Sequence, residues 1–325
     1  MAKKESATLK NVLKKISERF GENTVLKMGD AEANTETIST GRSELNNVLG
    51  GGWAKGKIIE IYSDFGCGKT GLALDTVAEV QRAGGRVAII DSEHALNIEY
   101  CELTGVIVED LYFCQPDDGE QACEIARALA ASGEFELIVI DSIAAMTPRS
   151  IIMGETGQAH MAVHARMIGQ FMSQIKGILN DVGCTMICIN QIRGTLSMYG
   201  SPTTTPGGKA LKFYASQRAE IKRKGDIKVG EDVIGFKQLI KITKNKVAPP
   251  FKTVLSDIVF GKGIDKLGDF IKDCIFEGII IKSGSFLQYH PECSKVQGMK
   301  KLRELLEENP DLVEDLKERL QALKK

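Results

Sequence analysis

The chain has 325 residues, 43% of them hydrophobic and 26% charged, enough for one large α/β domain with a smaller one beside it. A net charge of −1 excludes a global basic field, so any nucleic-acid contact has to come from a local groove or loop. No apolar run has the length of a membrane span, no apolar core follows MAKKESATLK, and the eight cysteines show no paired spacing; these features predict a reducing, cytoplasmic setting and no membrane partner.

In chain order, the first predicted element is a short amphipathic helix. Leu9, Val12, Leu13, Ile16 and Phe20 share one helical face, and Gly21 follows as a stop signal. Such a helix has to bury its stripe on its own domain or on a neighbouring subunit, and the residues leave both open. The polar stretch MGDAEANTET separates it from the main body. From Ile58, strand-length apolar runs (KIIEIY, RVAIID, LIVID, CTMICIN) alternate with the helical patterns TGLALDTVAEVQRA, EQACEIARALAAS and MAVHARMIGQFMSQIKGILN. This alternation predicts an α/β fold, a mostly parallel twisted sheet with helices on both faces. AEIKRK, QLIKITKNKV and TVLSDIVF predict an antiparallel extension of the same sheet. After about Ile264, GDFIKDCIFEGII, SGSFLQYH and KKLRELLEENPDLVEDLKERLQALKK predict a small α+β appendage whose last helical stretch breaks at Pro310. Cys184 and Cys188, in CTMICIN, read as small buried residues rather than zinc ligands.

In an open parallel sheet, ligands bind beyond the carboxyl ends of the strands. The first run leads into SDFGCGKT, the second into Ser92-Glu93-His94, the third into Asp141-Ser142 and the fourth into Asn190-Gln191. Gly68-Lys69-Thr70 closes a Walker A phosphate loop, although Ser63 stands where the motif opens with glycine. Backbone N–H groups of Asp64, Phe65, Gly66, Cys67 and Gly68, continued by the helix start through Gly71, are placed to cradle phosphates. Lys69 then reaches the outer phosphates of ATP, and Thr70 with Asp141 holds Mg2+. Glu93 is placed to orient or deprotonate the attacking water, and Gln191 to sense the terminal phosphate. A serine at the opening position costs about 1 kcal/mol if φ must be positive there, and less otherwise.

Between Gln191 and Phe213 runs IRGTLSMYGSPTTTPGGKALK, rich in small polar residues and lacking an apolar period. A loop of this length inside a compact domain is functional or disordered. Its N–H groups suit the phosphates of a nucleic-acid strand, Arg193 and Lys209 add charge, and Leu196 is placed to wedge between bases. A second small-residue segment, MGETGQAH, precedes the helix carrying Arg166. Plain surface loops are the competing reading of both segments. Lys244 and Lys246, two apart on a strand-like run, project from one face; the residues alone read as solvated lysines on an edge strand.

Taken together and in order, ETISTG, IDSEHAL, CQPDDGEQACEI, IVIDSIAAMTP, INQIR, TTTPGGKALKFYAS and KNKVAPPFK resemble the bacterial RecA recombinases from about residue 8 to the end. The resemblance implies a P-loop ATPase core and a DNA-dependent ATPase that uses ATP and Mg2+. It further implies helical filaments on single-stranded DNA, and homologous pairing and strand exchange with double-stranded DNA. By matching motif, Glu93 resembles the catalytic glutamate, Gln191 the γ-phosphate sensor and Tyr100 the adenine-stacking tyrosine, with Asn97 beside the adenine. The stretch from Arg193 to Gly208, with Gly207 and Gly208, resembles the second DNA-binding loop, and residues 153–161 resemble the first. Phe213 matches the phenylalanine that carries nucleotide state across the subunit interface. Lys244 and Lys246 match lysines that reach the neighbouring subunit's ATP, which overrides their reading as solvated charges. The implied division is a polymerisation helix and linker over 1–34, the ATPase core with its DNA-binding loops over 35–265 and a small C-terminal α+β domain over 266–325.

The sequence also departs from the family pattern. The family loop reads GPESSGKT against SDFGCGKT here, Asn97 replaces a common aspartate, Ser173 stands where an arginine is usual, Pro206 alters the DNA loop, and the tail ends QALKK without an acidic extension. These changes bear on rate, nucleotide preference and DNA affinity rather than architecture. They fit a divergent member of the kind a bacteriophage carries, acting in a bacterial cytoplasm. Two competing functions remain: an ATP-gated DNA-binding scaffold with little hydrolysis, motivated by the altered loop, and a ring-forming helicase of the same core fold, which the N-terminal helix and the KNK lysines oppose.

Overall fold

The computed structural model describes residues 6–21, 24–25, 36–154, 161–194, 203–289 and 295–324. The chain divides into two compact units, 1–36 and 37–325. In the first, α1 (Ala7–Phe20) starts where the Ser6 hydroxyl accepts from the Leu9 N–H and ends at Gly21, whose φ of 101° stops the helix. The predicted apolar face is there, with Leu9, Val12 and Phe20 exposed along it.

The second unit opens with a small ribbon in which β1 (Thr37–Ile38) pairs with β2 (Trp53–Ala54) around α2 (Ser43–Leu49). There follow β3 (Ile58–Ser63), α3 (Lys69–Arg82), β4 (Val87–Asp91), α4 (Ile98–Thr104), β5 (Leu111–Cys114), α5 (Gly119–Ala131), β6 (Leu137–Asp141), α6 (Arg149–Ile152), α7 (Met161–Val182) and β7 (Thr185–Gln191). A short ribbon pairs β8 (Arg193–Gly194) with β9 (Thr203–Thr204), and α8 (Ala210–Tyr214) leads into β10 (Gln217–Val229), β11 (Asp232–Asn245), β12 (Thr253–Val259) and β13 (Gly263–Ile264). The large sheet has the order β13-β12-β11-β10-β3-β7-β6-β4-β5. From β10 to β5 neighbouring strands are parallel, and from β10 to β13 antiparallel. This is the mixed sheet expected from the alternating runs and their late hairpins.

The central strands are buried on both faces, which is why they read as unbroken apolar runs. Ile59, Ile61, Ile89, Val139, Ile187 and Ile189 pack under Leu72 and Val77 of α3. The residues between them, Ile58, Ile90, Ile138, Ile140, Met186 and Cys188, pack against Ala122 and Ala126 of α5 and Ile168, Met172 and Ile175 of α7. Cys184 and Cys188 are fully buried in that layer, as their setting predicts. β5 was not foreseen. Its four residues are too few to show a period, and as an edge strand it leaves Tyr112 and Phe113 exposed. The C-terminal elements, α9 (Lys266–Phe276), β14 (Ile281–Ser283), β15 (Phe286–Gln288), β16 (Val296–Gln297), α10 (Met299–Glu308) and α11 (Pro310–Lys324), enclose a separate small core around Ile271, Ile280, Leu302 and Leu316. Among the described residues no helix is long and apolar enough to cross a membrane.

One buried ion pair joins three elements under the first strand-to-helix turn. Arg42 Nε and Nη2 both reach Asp75 Oδ2, at 2.9 and 2.8 Å, and Arg42 Nη1 donates to Gln238 Oε1 at 2.5 Å. Arg42 is 2% exposed and Asp75 4%. Truncating one partner strands the other charge away from water. Asp75→Ala is therefore expected to lower stability by about 3–5 kcal/mol, read as a lower urea midpoint. The same truncation at Glu134, partner of Arg86 in an exposed pair, should cost no more than about 1 kcal/mol.

Candidate functional site

The strands β3, β7, β6 and β4 lie side by side, with Ser63 opposite Gln191 and Asp91 opposite Asp141. Their ends deliver the predicted groups to one rim and into contact. Thr70 Oγ1, in the first turn of α3, donates to Asp141 Oδ2 at 2.7 Å. Glu93 Oε1 accepts from Gln191 Nε2 at 2.7 Å and from Ser142 Oγ at 2.6 Å. Glu93 is exposed, yet its backbone is fixed. Buried Asp91 accepts from the N–H groups of Glu93 and Leu96 at 3.2 and 3.1 Å and from Gln115 Nε2 at 3.1 Å. The Ser92 and Glu93 N–H groups also bond the Asp141 carbonyl. Ser142 and Asp91 were not singled out from the sequence, although both flank residues that were.

The phosphate loop is held from beneath. Gly68, the N-cap of α3, has a φ of 82°, and a Cβ there would lie 2.6 Å from Gln238 Nε2. That amide donates to the carbonyls of Cys67 at 2.5 Å and Gly68 at 3.2 Å, linking the loop to the Arg42–Asp75 pair. Nothing in the sequence marks Gln238, on a distant antiparallel strand, as a support of this loop. Ser63, at the position where the motif has glycine, is the fully buried last residue of β3 and is not among the residues with positive φ. The strain weighed for a serine there is therefore absent. Asp64, Phe65 and Gly66 form the exposed crest of the loop, while Cys67 turns inward and its thiol donates to the Phe65 carbonyl at 3.5 Å.

Lys69 Nζ donates to Ser63 Oγ at 3.2 Å and to the Asp64 carbonyl at 3.0 Å. Burial pulls its ammonium below the ordinary lysine value, with Cys67, Glu93, Asp141 and Asp64 pulling the other way. Burial pushes the Asp141 carboxyl up to about 6; the Thr70 hydrogen bond opposes this, and the nearby Glu93 and Asp91 add to it. The groups present fit a nucleotide with its cation. The loop ends at a helix N-terminus with a lysine beside it, and a hydroxyl and a carboxylate 2.7 Å apart are the oxygen donors a hard divalent ion takes. Asn97 caps α4 by accepting from the Tyr100 N–H at 2.9 Å, a task aspartate and asparagine do equally well. The Tyr100 hydroxyl packs over Gly71, where a Cβ would approach it to 2.6 Å.

Beside the rim, the base of the segment after Gln191 is pinned where Arg193 pairs with Thr204 and Gly194 with Thr203. Leu196 and residues 155–160 of the first loop lie outside the described residues. Gly207, Gly208 and Lys209 lead into α8 and lie against α7: a Cβ on Gly208 would meet the Ala165 Cβ at 3.0 Å. The neighbouring Arg166 is exposed, as are Arg193 and Lys209. Behind them Asn190, fully buried, donates from Nδ2 to both the Pro206 carbonyl and Glu60 Oε1 at 3.2 Å, and its Oδ1 accepts from the Gln191 N–H at 3.0 Å. Glu60 in turn is ion-paired with Arg218. The sequence marked Asn190 only as a strand end and did not mark Glu60 or Arg218.

Lys244 and Lys246 are not at this rim. Lys244 pairs with Arg218, which lies opposite Glu60. That register sets it three residues back from Ser63 and two strands across, on the order of 14 Å by strand rise and spacing. Its Nζ donates to the carbonyls of Lys212 at 2.8 Å and Phe213 at 2.9 Å, closing the end of α8. Burial, then Lys246 and Arg218, lower its pKa. Phe213, 71% exposed, and exposed Lys246 complete a second patch, distinct from the first.

A family model described as the RecA N-terminal domain matches residues 7–265. The chain is 46% identical over 315 residues to the protein named Protein RecA of Rubrobacter xylanophilus, covering 96% of this chain and 91% of that one. It is 42% identical over 323 residues to the Staphylococcus carnosus protein of that name (98% and 91%), and 46% identical over 322 residues to the Fusobacterium nucleatum one (97% and 85%).

The raised Asp141 pKa has a measurable consequence. Between about 4, its value in an unfolded chain, and about 6, the folded state holds a proton that the unfolded state has lost. Asp141 therefore costs no stability below about pH 4, and an increasing amount up to about pH 6. Asp141→Asn should raise the melting temperature of the nucleotide-free protein at pH 7.5. That gain should shrink between pH 6 and 4, while magnesium-dependent nucleotide binding is lost at every pH.

Proposed function

Since the chain belongs to the RecA family, we propose that its two residue clusters are halves of one composite ATPase centre, and that the loops beside it hold DNA. The protein is a DNA-dependent ATPase recombinase; it uses ATP, binds DNA, assembles with further copies of itself, and promotes homologous pairing and strand exchange. Our assignment places the polymerisation helix in 1–34, the catalytic core in 35–265 and the accessory domain in 266–325. The protein's place is the bacterial cytoplasm, on single-stranded DNA first and then on duplex.

The contact between Gln191 and Glu93 carries the assignment of roles. A terminal phosphate that draws the Gln191 amide toward itself frees one lone pair of Glu93 Oε1, the oxygen that Ser142 also bonds. That oxygen can then accept a hydrogen bond from water and, as the water attacks, its proton. Ser142 keeps the carboxylate oriented through its own hydrogen bond. Lys69 meets the charge of the outer phosphates, and N–H groups from Asp64 to Gly71 surround them. Thr70 and Asp141 would hold the magnesium ion, which neutralises phosphate charge when bound. Tyr100 and Asn97 face the base, and Arg166, Arg193, Gly207, Gly208 and Lys209 contact the DNA backbone, with Leu196 among its bases.

Lys244 and Lys246 serve the centre from the adjoining subunit. A head-to-tail interface joins different patches of successive copies and extends into a helix, so the Phe213–Lys244–Lys246 patch of one copy would meet the phosphate rim of the next. DNA is then gripped mainly through phosphates, with sequence left to base pairing, and affinity falls as salt rises.

The test is ATP hydrolysis with and without single-stranded DNA. The wild type should be stimulated by DNA. Lys69→Ala should lose nucleotide binding, and Glu93→Gln should lower kcat by about a hundredfold or more while still binding ATP and DNA. Mixing Glu93→Gln with Lys244→Ala should restore turnover that neither shows alone, because some interfaces then join an intact rim to an intact lysine. Failure to complement would place Lys244 outside the centre, and DNA binding gated by ATP without any turnover would make the protein a scaffold.

A further inference from the structure

The nucleotide reading above leaves one residue of the phosphate loop without a task, and that residue is where this chain departs from the family's glycine. Ser63 is fully buried, and its backbone is fixed on both sides: its carbonyl accepts from the Ile192 N–H at 2.9 Å, and it pairs with Gln191 across the sheet. Its hydroxyl has one proton, which it gives to the Asp64 carbonyl at 2.5 Å. The oxygen lone pairs remain, and Lys69 Nζ donates to that oxygen at 3.2 Å while donating to the same Asp64 carbonyl at 3.0 Å. The result is a closed triangle of serine hydroxyl, main-chain carbonyl and ammonium. Glycine at this position would leave the carbonyl but remove the hydroxyl.

We infer that Ser63 is a positioning residue that parks Lys69 against the floor of the loop, so that phosphates bind only by taking the ammonium away from two oxygen acceptors. This rests on the nucleotide reading and deepens it. The two ammonium contacts of the triangle are given up once the lysine moves to phosphate, while the Ser63–Asp64 hydrogen bond stays. Parking therefore weakens nucleotide binding without altering the barrier from the bound state, and appears in KM rather than kcat. The opposite possibility, that the hydroxyl is itself a phosphate donor, reverses the sign. The hydroxyl proton already has an acceptor at 2.5 Å, which favours parking.

The experiment compares wild type with Ser63→Gly, Ser63→Ala and Ser63→Thr. Binding of ATPγS with magnesium is measured by calorimetry, and steady-state hydrolysis on single-stranded DNA is measured alongside. Parking predicts that Gly and Ala bind about threefold to tenfold more tightly, the weight of one hydrogen bond. Their KM should fall by a similar factor with kcat within about twofold. Thr, which keeps the hydroxyl, should return to wild-type values. Agreement of Ala with Gly excludes added backbone freedom as the cause. Equal affinity across the series, or weaker binding by Gly and Ala, would overturn parking while leaving the nucleotide reading intact. Absence of ATPγS binding in the wild type itself would overturn both.

Discussion

Four parallel strands buried on both faces, β3, β7, β6 and β4, set every distance at the candidate centre, because their register admits no slippage. A shift of one residue in a strand exchanges its two faces. Ile58, Ile90, Ile138 and Ile140 would leave the layer under α5 and α7 for the one under α3, and every side chain in both layers would have to repack. The same register that fills the core puts Ser63 opposite Gln191 and Asp91 opposite Asp141. Hydrophobic burial thus does the coarse work of placing these groups, and the polar contacts at the strand ends join them.

Those polar contacts share a pattern. Each group assigned to the nucleotide is held by another group of the site: Thr70 by Asp141, Gln191 and Ser142 by Glu93, and Lys69 by Ser63 and the Asp64 carbonyl. A half-buried polar group without a partner costs more than a made hydrogen bond returns, and these groups satisfy one another. Substrate binding is then an exchange of partners, and its net strength depends on how good the internal partners are. The SDFGCGKT loop changes that balance without changing the fold. The Gln238 amide and the Arg42–Asp75 pair hold the loop's main chain in place, leaving its crest free to vary in sequence.

The strands, the rim and most of the site were legible in the sequence because burial on both faces writes unbroken apolar runs, and the residue after each run has to sit at the sheet edge. Glu93, Asp141 and Gln191 lie at or just past those ends, and the Gly68-Lys69-Thr70 ending marks the loop among them. β5 was illegible because LYFC is short and half exposed at an edge. Gln238, Glu60 and Arg218 were illegible for another reason: their partners lie 170 or so, 130 and 158 residues away, and only the closed sheet brings them together. The cost assigned to Ser63 was conditional on φ, a backbone angle that no composition or spacing reveals. For Lys244 and Lys246 the local pattern reads as ordinary edge-strand lysines, and only the family resemblance assigns them a partner outside their own subunit.

Lys244 is already engaged within its own chain. Its ammonium is committed to the last carbonyls of α8, beside Phe213, and the strand carrying it runs away from the phosphate rim. Within one subunit Lys69 is the lysine at that rim, and it begins in contact with Ser63. In the composite centre proposed above, the remaining cations come from a neighbouring copy. The Asn190 side chain ties the main chain of Gln191 to Pro206 and to the Glu60–Arg218 pair, whose arginine lies across the strands from Lys244. The end of β7, the base of the segment that follows it and the strand beside Lys244 are therefore tied to one buried amide. Both Nδ2 hydrogens of that amide are used, one on Glu60 and one on Pro206, so losing either acceptor would leave a buried donor unpaired.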